Sequence, residues 1–309
     1  MNTMKLLPTR ASLMLAIMMV CGAALASTPV DEQAVMANDG RVSVENISGN
    51  VTVRGWDRAE VRVTGELGDD VEALDIRSDG RNVRIEVRHA EQNRKSWDWR
   101  SDRRDATLEV RVPRRAELEV GTTSATIDVR EHMGRQRISS VSGDIDLVLG
   151  EVESRVKSIS GQVEARGRDV AIDASVESVS GDVEVIGFRG DIELETVSGD
   201  IELRDASVRD GDAESVSGDV DLRMKLASNG EFEIETISGD VSIEFEPPVD
   251  ATVRAESHSG RIDDFFGIQA ERTRKYGPPN RRLRASAGAG SADVTISTLS
   301  GEIRNRTRD

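Results

Sequence analysis

Residues 191–203 read Asp-Ile-Glu-Leu-Glu-Thr-Val-Ser-Gly-Asp-Ile-Glu-Leu, and the fold turns on this stretch. Ile192 and Leu194 alternate with Asp191, Glu193 and Glu195, the period-two pattern of a half-buried strand. Alternation then resumes in a shifted phase, with Val197, Gly199, Ile201 and Leu203 expected inside and Ser198, Asp200 and Glu202 outside. The slip at Glu195-Thr196 predicts a bulge or corner. Gly199 on the inner phase predicts a tight bend or a close approach of backbones. The next copy, Val216-Ser-Gly-Asp-Val-Asp-Leu222, repeats the arrangement.

Read outward, the same phrase recurs along the chain. Ser-Gly glycines stand at 49, 143, 161, 181, 199, 218, 239, 260 and 301, and from Gly143 to Gly260 the spacings are 18, 20, 18, 19, 21 and 21 residues. A period near 20 residues holding two or three short strands suits an all-β fold, a single-chain β-solenoid. Each coil stacks on the last at the ~4.8 Å spacing of a sheet. The mature chain would hold about 13 such coils in a rod roughly 60 Å long. A β-sandwich or a propeller is the alternative, although propeller blades usually need about 40 residues.

Composition agrees. Five Phe, three Trp and one Tyr are few for 309 residues, whereas narrow stacked coils need β-branched ladders rather than large rings. The net charge of −16 argues against nucleic-acid binding, which needs a basic footprint.

Lys5 and Arg10, the apolar run Leu13–Val20 and the small-x-small Ala24-Leu25-Ala26 read as a secretory signal peptide over residues 1–26. Its removal takes the net charge to −18 and removes Cys21, the single cysteine. No later stretch is apolar enough to span a membrane. The mature domain, 27–309, divides into irregular rungs (41–120), regular Ser-Gly-Asp repeats (121–260), a basic insertion (261–286) and a terminal rung and cap (287–309). Periplasm or cell surface is the expected location.

The run Thr196–Leu203 with its copies, and the ending Ser291–Ile303, resemble the putative-adhesin family of bacterial β-strand-repeat proteins, a domain of unknown function (4097). The resemblance covers most of residues 40–309. It implies a β-solenoid and an envelope location, and it brings no catalytic residues with it.

No cofactor motif, nucleophile elbow or metalloprotease helix is present. His89, His132 and His258 lack partners at metal-ligand spacing and are expected at the surface. Asp144, Asp182, Asp200, Asp219 and Asp240 share one place in the consensus. Stacked about 5 Å apart they would repel by ~1 kcal/mol per pair in water. Turn chemistry explains them, with calcium as the sharper alternative.

Two segments break the pattern and are candidates for partner binding. The first is Arg94–Arg100, with Trp97, Trp99 and Arg100. The second is 261–286, with seven basic against three acidic residues, among them Arg272, Arg274, Lys275, Arg281 and Arg282 beside Tyr276. Phe265 and Phe266 are expected to tuck that insertion onto the core.

The functional expectation is a non-enzymatic exported module, an adhesin or envelope scaffold, with an envelope protein or polysaccharide as partner. The rival is a polysaccharide-acting β-helix enzyme, which would need unlike acid and base groups converging in a groove. A third is homotypic assembly through end rungs.

Overall fold

The computed structural model describes residues 27–68, 71–89, 105–272 and 280–305. Its 24 strands form one hydrogen-bonded sheet that winds into a β-solenoid, and no helix occurs among the described residues.

The unit is a coil of two strands joined at the Ser-Gly corner. β10 (Gln136–Ser140) turns into β11 (Ile145–Val148), β12 (Glu153–Ser158) into β13 (Val163–Arg166), and β14 (Ile172–Ser178) into β15 (Val183–Ile186). Entering strands pair in parallel with entering strands, and leaving strands with leaving strands. Two long faces result, the entering and the leaving face. Further along, β16 (Arg189–Thr196), β17 (Ile201–Ser215), β18 (Val220–Thr236) and β19 (Val241–Phe245) continue both faces. β17 and β18 are long because each leaves one coil and enters the next without a break.

Parallel register makes identical positions stack. On the leaving face Ile127, Ile145, Val163, Val183, Ile201, Val220, Val241 and Ile303 form one buried line. Each side chain meets its equivalent one coil away, which rewards branched residues of equal size. Burying each contributes on the order of 1.5–3 kcal/mol. The core is thus distributed along the rod, and a few large rings fill special places: Phe188, Phe232 and Phe265 are fully buried.

The corner differs from the sequence expectation in one respect. Thr196 is buried and Val197 is 46 % exposed, so the strand phase of Ile192 and Leu194 runs on to Thr196 and slips two residues later than the pattern suggested. The reason is hydrogen bonding. The Thr196 hydroxyl accepts the Gly199 N–H at 3.0 Å, and Ser178 and Ser140 cap Gly181 and Gly143 in the same way. A hydroxyl inside closes the corner, whereas a valine there would leave the glycine N–H unsatisfied. Gly199 does face inward as expected: a Cβ there would lie 2.2 Å from the Gly181 carbonyl oxygen.

Both ends of the stack are threaded out of sequence order. β2 (Arg41–Asn46) lies between β6 (Asn82–His89) and β8 (Glu117–Thr122), and β3 (Gly49–Trp56) lies between β7 (Ala106–Pro113) and β9 (Thr126–Arg130). At the other end, β23 (Ala292–Thr298) sits between β18 and β20 (Ala251–Ser257). β24 (Ile303–Asn305) follows β19, with Ile262 bridging beyond it. The first and last coils in sequence are therefore each second from the end in space.

Antiparallel strands cover the outer coils. β4 (Glu60–Leu67) lies on β7, β1 (Thr28–Val35) on β4, and β5 (Val71–Ser78) on β6. β22 (Arg281–Ala287) lies on β20, and β21 (Glu271–Arg272) on β22. Such covers protect the hydrogen-bonding edge that an end coil exposes. Counted by entering strands (β6, β2, β8, β10, β12, β14, β16, β17, β18, β23, β20), eleven coils stack in parallel among the described residues, about 50 Å at sheet spacing.

Candidate functional site

With the hydroxyl turned in, the residue after it is turned out. Val141, Ile159, Val179, Val197, Val216 and Ile237 stand in a line along the corner, each 41–50 % exposed. Ile47 and Leu299 occupy the same position in the outer coils and are equally open. Single exposed aliphatics are ordinary, but a contiguous apolar ridge is not.

The ridge forms one wall of a groove of about 710 Å³ running lengthwise from Thr122 to Ile237. The floor is the hydroxyl line, Ser140, Ser158, Ser178, Thr196, Ser215 and Thr236. The opposite wall is Ser139, Lys157, Glu177, Glu195, Glu214 and Glu235, the outward residues just before the hydroxyls. Lys157 pairs with Glu177 at 2.7 Å. Glu195, Glu214 and Glu235 have no Lys or Arg at ion-pair distance among the described residues. Burial first, and then the neighbouring charges of Glu193, Glu177 and Glu214, push the Glu195 carboxyl above the usual range.

The acid extends beyond the groove over the entering face. Asp212 lies one column over, and burial together with Glu214, Glu233, Glu235 and Glu193 pushes its carboxyl up to about 6. The leaving face of the same coils carries an acid column too, but arginines interleave it. Arg130 bridges Asp128 (3.1 Å) and Asp146, Arg166 bridges Asp146 (2.8 Å) and Glu164, and Arg204 bridges Glu184 (3.2 Å) and Glu202.

The groove offers little free backbone. The N–H groups of Val141, Ile159, Val179, Val216 and Ile237 donate to a carbonyl of the coil before, as Ile159 does to Ser140 and Val179 to Ser158. Each ridge carbonyl accepts a serine hydroxyl from the coil after, for example Ser180 to Ile159 and Ser198 to Val179 at 3.1 and 3.2 Å. A ligand here meets mostly side chains.

The consensus aspartates have a structural task. Asp182 accepts the N–H of Asp200 at 2.9 Å, Asp200 that of Asp219, Asp219 that of Asp240, and Asp240 that of Glu302, the last three at 2.8 Å. Asp144 accepts from Gln162 at 3.0 Å. Each carboxylate thus staples its coil to the next, a bond to charge that is stronger than a neutral one and offsets the repulsion along the column. Among the described residues no group of three or more His, Cys, Asp or Glu could hold a metal ion.

His132 departs from expectation. It is fully buried, because the strand position that is Leu118 or Ala174 elsewhere is Gln136 and Ser154 here, and a polar plug fills the space. His132 Nε2 donates to the Ala116 carbonyl at 2.9 Å, and Gln136 Nε2 approaches Nδ1 at 3.3 Å. Gln136 Oε1 accepts from Ser154 and from the Gly150 N–H. Burial, with a smaller contribution from Arg168, depresses the imidazole to about 4, so the ring is neutral at physiological pH.

Trp97, Trp99 and Arg100 lie outside the described residues, as do Arg274, Lys275 and Tyr276. The segment 90–104 links β6 to β7, where other coils have the Ser-Gly corner. Arg272 and Arg281 pair through their backbones in β21 and β22. Arg282 binds Glu256 at 2.9 Å and holds that carboxyl below its usual range. Phe265 is buried, and Phe266 packs between it and Phe245 at ring distances of 6.3 and 6.2 Å, which anchors the basic insertion as expected. The end rungs, candidates for homotypic pairing, carry the antiparallel covers, so the outermost edges belong to β1, β5 and β21.

Pattern reasoning missed the groove because it placed Val197 inside. The signal that finds it is the Ser or Thr that recurs two residues beyond the last inward aliphatic from Thr122 to Thr298.

The molecule is a β-solenoid whose repeating feature is the stacked Ser-Gly corner. The family model described as Toastrack DUF4097 matches residues 40–304, and the chain belongs to that family. Three solved structures are similar in fold. A putative lipid binding protein from Parabacteroides distasonis is 14 % identical, with 90 % of this chain and 97 % of that one covered and a TM-score of 0.48. A putative adhesin from Parabacteroides merdae is 9 % identical, with 90 % and 96 % covered and a TM-score of 0.43. A putative adhesin from Bacteroides fragilis is 10 % identical, with 92 % and 100 % covered and a TM-score of 0.38. Comparison with curated proteins finds no match. No helix among the described residues is long and apolar enough to cross a membrane.

Proposed function

We propose that this chain is an exported, non-enzymatic interaction module of the cell envelope, binding its partner along the corner groove. The observation that carries this reading is the exposed ridge Val141–Ile237 facing a wall of carboxylates across several coils. Catalysis by general acid and base needs two unlike groups converging on one bond. Here equivalent groups repeat at every coil, which suits distributed attachment. The signal-like segment 1–26 supports export.

Co-sedimentation with purified envelopes tests the proposal, comparing the mature wild type with Val179→Ser/Val197→Ser/Val216→Ser. Saturable sedimentation of the wild type, weakened at least five-fold in the variant, is expected. A wild type that stays in the supernatant at every concentration overturns it. Trp97→Ala/Trp99→Ala in the same assay asks whether the segment 90–104 between β6 and β7 adds to attachment.

A further inference from the structure

The groove has a chemistry more specific than apolarity. Its two walls differ, one aliphatic and the other anionic from Glu177 to Glu235, and they run parallel for about 24 Å, five coil spacings. A partner that satisfies both carries positive charge along one side and aliphatic groups along the other. Phosphate-bearing polymers and headgroups are repelled by the Glu wall. Because every ridge C=O, and the N–H of Val141, Ile159, Val179, Val216 and Ile237, is already bonded between coils, the ridge lacks the row of free donors and acceptors that an added β-strand needs.

Resting on the interaction role proposed above, we infer that the groove binds an extended cationic polypeptide, lysine or arginine against Glu195, Glu214 and Glu235 and aliphatic side chains against Val179, Val197 and Val216. Spacing selects its conformation. A polyproline II segment repeats every three residues, about 9.3 Å, and two coils span about 9.6 Å. Every third residue therefore returns to an equivalent place on every second coil, so one register sets the cations against Glu195 and Glu235 and the alternate register against Glu177 and Glu214. A β-strand, with like-facing residues about 6.8 Å apart, drifts out of step within two coils.

The test uses fluorescence anisotropy with the labelled peptide (Pro-Lys-Val)4 and the mature full-length protein. Binding at 50 mM salt is expected, with at least a ten-fold loss in Glu195→Gln/Glu214→Gln/Glu235→Gln and a similar loss in Val179→Ser/Val197→Ser/Val216→Ser. Since the protein is acidic overall, a control removes equal charge from the next column: Glu193→Gln/Asp212→Asn/Glu233→Gln should change affinity by less than three-fold. The peptide (Pro-Glu-Val)4 should not bind. Equal losses in the control and the wall variant would mean diffuse charge attraction and overturn the inference. So would binding unaffected by the valine substitutions, no peptide binding, or preference for anionic phospholipid vesicles over the peptide. Envelope sedimentation that survives when peptide binding fails leaves the interaction role standing and removes only this occupant.

Discussion

The two faces of coils 173–235 share one core and both carry acid columns, yet the columns nearest the groove treat that charge differently from those of the leaving face. On the leaving face Arg204 sits between Glu184 and Glu202, and in the neighbouring coils Arg166 and Arg130 do the same. On the entering face Arg209 bridges Asp191 and Asp210, but nearer the groove Glu193, Glu195, Asp212, Glu214, Glu233 and Glu235 are stacked with no Lys or Arg at ion-pair distance among the described residues. The inner ladders do not distinguish the faces, so the core does not dictate the difference. Repulsion that the leaving face relieves is left standing beside the groove. Unrelieved charge costs stability, and its persistence beside the groove is what the proposed binding role accounts for.

The largest expected effect tests whether the faces truly share one frame. A methyl group on Gly199 would lie 2.2 Å from the Gly181 oxygen, and on Gly161 it would lie 2.1 Å from the Gly143 oxygen. Both neighbours are backbone within a stack, so neither can move alone. Gly199→Ala and Gly161→Ala should each cost about 3 kcal/mol or more, read as a fall in denaturation midpoint or loss of folded protein. Equal damage at the two sites is expected even though their outer charges differ. A mild effect at either would mean that the corner column is not the common frame.

The frame was readable in the sequence because it is periodic. The Ser-Gly spacing fixed the coils, and the alternation of Ile192, Leu194, Ile201 and Leu203 fixed which residues face in. What was not readable lies where local pattern and hydrogen bonding compete. Val197 is the more apolar residue, but Thr196 faces in because the corner needs its hydroxyl. The out-of-order end coils were hidden as well. The corners after β2 and β23 carry the same Ser-Gly signature as the central coils, and which neighbours those strands choose is a matter of long-range pairing. Face charge became legible only with the register, because Glu195 and Glu214 are 19 residues apart in sequence yet adjacent in space.

The next effect comes from inside the frame, at the polar plug. His132 is held near 4 when folded but titrates near 6.5 when unfolded. The unfolded chain therefore binds more protons between these values, and stability conferred by the neutral ring is lost as pH falls from 6.5 towards 4. The loss is on the order of 3 kcal/mol. Urea midpoints at pH 7 and pH 4.5 should show this fall in the wild type and a smaller one in His132→Asn. If the variant falls as steeply, the ring is not the source.

The smallest effect bears directly on the two faces and has the opposite sign in pH. Asp212 titrates near 6 in the folded chain, above its ordinary 3.8, so the folded state binds the extra proton between these values. Stability then rises as pH drops from 6 towards 4, and above pH 6 the ionised group is a burden. Asp212 is partly open to solvent, which screens its neighbours, so the burden is about 1 kcal/mol. Asp212→Asn should raise the midpoint at pH 7.5 and match the wild type at pH 4, and 0.5 M salt should shrink the gain. Arg130→Met on the opposite face removes a bridge between Asp128 and Asp146 and should do the reverse, lowering stability by about 1 kcal/mol. Measuring variant against wild type at each pH cancels the His132 contribution common to all. Were Asp212→Asn to lower stability at pH 7.5 as Arg130→Met does, the entering face would be holding its acids in compensating contacts. The contrast between the faces, and the case for an unsatisfied anionic wall beside the groove, would then fall together.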